Sequence, residues 1–107
     1  MYKRMAKLIS AVLTNKKLCT IQYTTTDGKI LSINSNKFDA EIISHTYTNI
    51  GTIIFEKPIT IVHNSAFKGY RNLTSITIPN GVNLIEKWAF EGCSSLASIN
   101  IPNGVTV

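Results

Sequence analysis

The side chains able to do bond-making chemistry are few, and their spacing does not assemble them. His45 and His63 have no acid or cysteine beside them in sequence that would orient an imidazole for proton transfer or begin a metal site. Cys19 and Cys93 lie far apart with no metal-ligand spacing around either. Cys93 reads as a small buried thiol and Cys19 as a strand residue of the same kind; a disulfide between them stays open. There is no glycine-rich phosphate cradle, no Ser-His-Asp set and no carboxylate pair placed to tune one another. The pattern assigns no catalytic, cofactor-binding or metal-binding residue and reads as a protein that is not an enzyme.

The chemistry that remains is hydrogen bonding. Ser75 and Thr77, and again Ser98 and Asn100, alternate with apolar residues along two strand-like segments. Such residues can present a row of hydroxyl and amide groups to a protein partner. They also describe any solvated strand face, and the pattern alone does not separate the two. Ile99, Ile101 and Val105 form a second candidate set, an apolar edge for self-association. Asn72-Leu73-Thr74 matches a glycosylation acceptor and is read as chance.

The elements that must position these groups come from a repeat. Ala66-Phe67, Gly69, Leu73, Ser75, Ile76, Ile78 and Pro79-Asn80-Gly81-Val82 all recur 23 residues later, giving 11 identities in 23 positions. A leucine-rich period of this length marks a solenoid, in which one repeat cannot bury its own face and neighbours must stack. In Leu73 to Ile78 the apolar side chains point into the stack, and Pro79 ends the strand because it cannot donate to a ladder. Asn80-Gly81 suits a turn with positive φ. Ala89 to Cys93 reads as a short helical turn, and Val82 to Ile85 as a second short strand.

The run Ala89-Phe90-Glu91-Gly92-Cys93-Ser94-Ser95-Leu96-Ala97-Ser98-Ile99-Asn100-Ile101-Pro102-Asn103-Gly104-Val105 resembles the BspA-like leucine-rich repeat. The likeness is specific over residues 59–107 and weaker back to Ile50. It implies an α/β repeat fold, a right-handed leucine-rich-repeat solenoid, and a role in adhesion or protein binding at a bacterial surface or in secretion. The family's usual role is not catalysis.

Ahead of the repeats the spacing predicts a cap over residues 1–48. Tyr2, Met5, Ile9, Val12 and Leu13 share one side of a helix over residues 2–14. Residues 19–34 read as a β-hairpin, with Tyr23 opposite Leu31 and Ile21 opposite Ile33 across a three-residue Thr26-Asp27-Gly28 loop. Asn49 to Phe55 aligns with Asn72 to Ile78, which makes residues 49–60 a degenerate repeat before full repeats at 61–83 and 84–106. Three directly stacked strands would give a face only about 10–15 Å wide.

Charge placement limits the other readings. Residues 1–19 carry Lys3, Arg4, Lys7, Lys16 and Lys17 and no acid, whereas residues 20–107 hold six bases and six acids. The repeat body is neutral, so no basic stripe supports nucleic-acid binding. A basic helix at 2–14 binding anionic surfaces is a remaining alternative. No apolar run reaches the roughly 18 residues of a membrane span. Leu8 to Leu13 is six residues long, short of the about 7–15 of a signal core, so no convincing signal peptide is read and a cytoplasmic location stays open.

Overall fold

The computed structural model describes residues 19–106. The helix expected over 2–14, with the basic residues and the signal-like stretch, lies outside them. The described residues form seven strands: β1 (Cys19–Thr25), β2 (Ile42–Tyr47), β3 (Gly51–Phe55), β4 (Ile61–Val62), β5 (Leu73–Thr77), β6 (Leu84–Ile85) and β7 (Ser98–Asn100).

The repeat sets the spacing of every contact between its copies. β4 pairs with β6 in parallel, Ile61 beside Leu84 and Val62 beside Ile85. β5 pairs with β7 in parallel, Ser75 beside Ser98, Ile76 beside Ile99 and Thr77 beside Asn100. On the third side, the amides of Ser65, Phe67 and Gly69 donate to the carbonyls of Lys87, Ala89 and Glu91, at 3.3, 2.7 and 2.7 Å. Positive φ recurs with the same period: Ser65 and Trp88 both sit at +62°, Gly69 at +80° and Gly92 at +77°.

Those left-handed residues correct the α/β expectation. The Ala-Phe turns are not helical. Each closes with i→i+3 bonds only, Ala66 to His63 and Lys68 to Ser65, then Ala89 to Glu86 and Glu91 to Trp88. Three residues between two left-handed positions leave no room for an i→i+4 ladder. Among the described residues the only helix is the three-residue 3₁₀ turn Ser35–Lys37, capped by Asn34, whose side chain accepts from the Asn36 amide.

A second correction concerns residues 19–34, which do not form a hairpin. β1 runs between β3 and β5, antiparallel to both, in a five-stranded sheet of order β2-β3-β1-β5-β7. Both its edges are therefore taken, and no edge is left for residues 29–34, which form no strand. The Asp27-Gly28 turn does form, with Gly28 at +67° and the Asp27 carboxylate accepting from the Lys29 amide. Tyr23 and Leu31 are both buried, and the Leu31 amide donates to the Tyr23 hydroxyl at 3.1 Å. Their alternation reported burial correctly and pairing incorrectly. The same insertion means that β3, the strand of the degenerate repeat, does not stack directly on β5.

The core lies between this sheet and the repeat turns. Ile21, Tyr23, Ile53, Phe55, Leu73 and Ile76 come from the sheet, and Ile59, Val62 and Phe67 close it from the other sides. Four phenylalanines run through it as a column along the stack: Phe55 to Phe38, Phe38 to Phe67 and Phe67 to Phe90, with centroids 5.2, 5.9 and 5.3 Å apart.

Candidate functional site

Strand alternation decides which side chains reach the outer face of the large sheet. In β1 Cys19, Ile21 and Tyr23 point inward, and Thr20 and Gln22 point out. The four residues expected to form a binding face come together as a two-by-two patch, because Ser75 pairs with Ser98 and Thr77 with Asn100. Thr77, Ser98 and Asn100 are exposed and Ser75 is half-buried. Ser75 is also engaged: the Thr24 hydroxyl lies 2.5 Å from its hydroxyl and 2.7 Å from that of Thr74.

The insertion of β1 enlarges the patch beyond what the repeat could reveal. Reading across the registers, Thr46 faces Thr52, Thr52 faces Gln22, Gln22 faces Thr77, and Thr77 faces Asn100. This is one unbroken row over all five strands, about 19 Å long at the usual strand spacing. Every member is an uncharged hydroxyl or amide. The flanking outward positions Thr20, Thr24, Ser44 and Ile54 are uncharged as well. At one end of the face a cavity of about 460 Å³ opens, lined by Thr20, Thr77 and Asn100 and walled by Pro58, Pro79 and Pro102. The prolines mark where strands of three successive repeats stop, which is why they converge.

The other residues with reactive groups are occupied structurally. Cys19 and Cys93 are both free thiols. Burial pushes both upward in pKa, and the Cys93 thiol donates to the Phe67 carbonyl at 3.0 Å. His63 does have an acid, contrary to its sequence surroundings: its Nδ1 lies 2.8 Å from Glu86 Oε1. Glu86 is the same repeat position one copy later, so stacking alone makes them neighbours. That bond, with one from the Asn64 amide, holds the Glu86 carboxyl below its usual range. His45 Nε2 lies 2.6 Å from the Tyr23 hydroxyl. Burial lowers the pKa of His45 and raises that of Tyr23, so a neutral imidazole accepts from the phenol.

Among the described residues no group of three His, Cys, Asp or Glu side chains gathers as a metal site. No buried side-chain nitrogen or oxygen there lacks a partner. No helix there is long and apolar enough to cross a membrane.

Repeats stacked at a period of 23 residues, with a leucine-rich strand in each, define a leucine-rich-repeat protein. The family model described as "BspA type Leucine rich repeat region (6 copies)" matches residues 40–107. The chain belongs to that BspA-type leucine-rich-repeat family. No curated protein and no solved structure matches it.

Proposed function

We propose that this chain is a non-catalytic protein-binding or adhesion module that engages its partner through the outer face of the five-stranded sheet. The row Thr46–Thr52–Gln22–Thr77–Asn100 carries the reading, because five strands align uncharged hydrogen-bonding groups on one exposed surface. Ser75 and Ser98 extend the row along the strands. The family's usual role and its usual place, at the cell surface or secreted, support the same conclusion. A face without charge gains little from electrostatic steering, so binding through it should change little with ionic strength.

The test is a photo-crosslinker at Thr77 with a control at Glu91, followed by affinity measurement on the captured protein. Arginine at Thr77 or Asn100 is expected to weaken that binding about tenfold or more while unfolding stays within about 0.5 kcal/mol of the parent. Equal crosslinking at Glu91, or unchanged affinity in both variants, would move the site off this face.

A second reading gives the C-terminal edge of the stack a role in association. Ile99 and Ile101 are 38% and 39% exposed there, large apolar side chains beyond what a solvated strand needs, while Val105 is half-buried.

A further inference from the structure

We infer that the proline-walled cavity at one end of the strand face receives a tyrosine or tryptophan side chain of the protein partner. This rests on the strand-face reading above and deepens it, because the cavity shares Thr77 and Asn100 with the row of hydrogen-bonding groups.

The cavity exists because the two ladders of one strand stop at different places. β1 pairs with β3 as far as Cys19 beside Phe55, but with β5 only as far as Gln22 beside Thr77. Two residues beyond Thr77 stands Pro79, which has no amide to carry the ladder on. β1 and the end of β5 therefore part, and the space between them opens onto the outer face. Its walls are set before any ligand arrives. Pro58, Pro79 and Pro102 present rigid rings. The turn after Pro79 is closed by the Val82 amide, which donates to the Pro79 carbonyl at 3.4 Å, with Gly81 at +101°.

The lining defines the occupant. Deep in the cavity Cys19 and Ile78 are buried and apolar, and the proline rings continue that surface outward. At the rim stand Thr20, Thr77, Asn80 and Asn100, all exposed. Their side chains make no hydrogen bond among the described residues, whereas Thr24, Thr74 and Ser75 farther along the face are tied to one another. No charged side chain of the described residues lines the cavity. A lysine or glutamate entering it would lose water and gain no counter-ion. A leucine would cover the four polar groups and offer them nothing. A broad apolar body with one uncharged polar tip suits both halves, and tyrosine and tryptophan are the side chains of that kind. The volume of about 460 Å³ accepts such a ring whole and falls within the about 300–1,000 Å³ of sites that bury a ligand. Aromatic anchors seated in pockets carry much of the energy of protein interfaces.

The probes are the N-acetyl amides of tyrosine, tryptophan, leucine and lysine, with methyl glucoside as an uncharged, hydroxyl-rich small molecule. Each is titrated into the isotopically labelled full chain. The two aromatic amides are expected to shift the signals of Thr20, Ile78, Asn80 and Asn100 saturably, with Kd of about 1–10 mM. The leucine and lysine amides should bind about fivefold more weakly or worse. Thr20→Trp sets a ring of the chain's own at the cavity mouth, on an exposed strand position that tolerates it. It should weaken tyrosine-amide binding about tenfold, and Asn80→Trp is a second plug if the first does not fold. No saturable shift up to about 50 mM, equal binding of the leucine amide, or undiminished binding in a folded plugged variant would overturn the site. Glucoside binding tighter than that of the aromatic amides would overturn the choice of occupant. The crosslinker at Thr77 separates the two readings. Capture there without amide binding overturns the cavity and leaves the strand face; amide binding without capture supports the cavity and overturns the strand face.

Discussion

Phe67 and Phe90 stack with their ring planes 2° apart, and the two residues are separated by one repeat length. Phe67 is fully buried, with Phe38 against one side and Phe90 against the other. Phe90 is half-buried and is the last ring of the column among the described residues. Truncation should expose this difference. Phe67→Ala opens a cavity at the middle of the column and is expected to lose about 3–5 kcal/mol. That is a large share of the stability of a domain this size, so urea unfolding should show a much lower midpoint or no folded baseline. Phe90→Ala should lose clearly less, because its outer face buries little. Equal losses would mean that the two repeats unfold as one unit whatever the local burial.

Gly51 faces the Tyr23 ring so closely that an added Cβ would lie 2.2 Å from the ring's Cζ. The two residues are register partners across β1 and β3, and the ring lies over the space where a side chain would stand. Tyr23 cannot swing away without breaking the hydrogen bonds of its hydroxyl to Leu31 and His45. Gly51→Ala is expected to destabilise by about 1–3 kcal/mol. The Gly51→Ala, Tyr23→Phe double variant should lose less than the sum of its two single variants, since without the hydroxyl's bonds the ring is free to move off the new Cβ. Thermal unfolding of the three variants checks both statements.

How much of this was legible beforehand follows from the range of each interaction. Contacts set by the period were readable. Ser75 beside Ser98 and Thr77 beside Asn100 follow once stacked copies are aligned, and His63 beside Glu86 was available by the same rule. The insertion of β1 was not readable. Alternation says that Tyr23 faces a core, but it does not say which strand lies beside it. The short Asp27-Gly28 turn favours the local hairpin, and only the distant β3 and β5 displace it. Gln22 therefore enters the candidate face through a pairing 30 and 55 residues away in the chain. The turn geometry was hidden for a different reason. Trp88 holds a left-handed backbone that tryptophan rarely adopts, so its residue type gave no warning.

His45 should make stability depend on pH near neutrality. Its ring is packed against Tyr23 and bonded to the Tyr23 hydroxyl, and burial pushes its pKa below the unfolded value of 6.5. Between the two values the unfolded chain binds more protons, so stability rises with pH. The contribution is fully present above about 6.5 and is lost as pH falls toward the folded value. Urea unfolding at pH 7.5 and pH 5.5 should show the drop, and His45→Gln should flatten it. An equal slope in the variant would assign the effect to other groups.

Asp39 should act in a lower pH range and on a different joint. Its carboxylate accepts from the Thr60 amide at 2.9 Å, the Thr60 hydroxyl at 2.6 Å and the Ile61 amide at 3.3 Å. It thereby ties the segment after the 3₁₀ turn to the start of β4, where the full repeats begin. Burial alone would raise its pKa, but these three donors outweigh burial and hold it below 3.8. The stabilisation is therefore present above the unfolded value and is lost as pH falls through the folded one. Asp39→Asn keeps the shape and removes the charge. Because the residue is exposed, solvent screens the effect, and a loss of about 1 kcal/mol is expected at neutral pH. As the wild-type carboxyl becomes protonated, the parent loses the advantage that the variant never had. Stability curves of the two proteins should therefore converge in acid, below the range where His45 acts. Curves that run parallel down to pH 2 would show that Asp39 contributes through shape rather than charge.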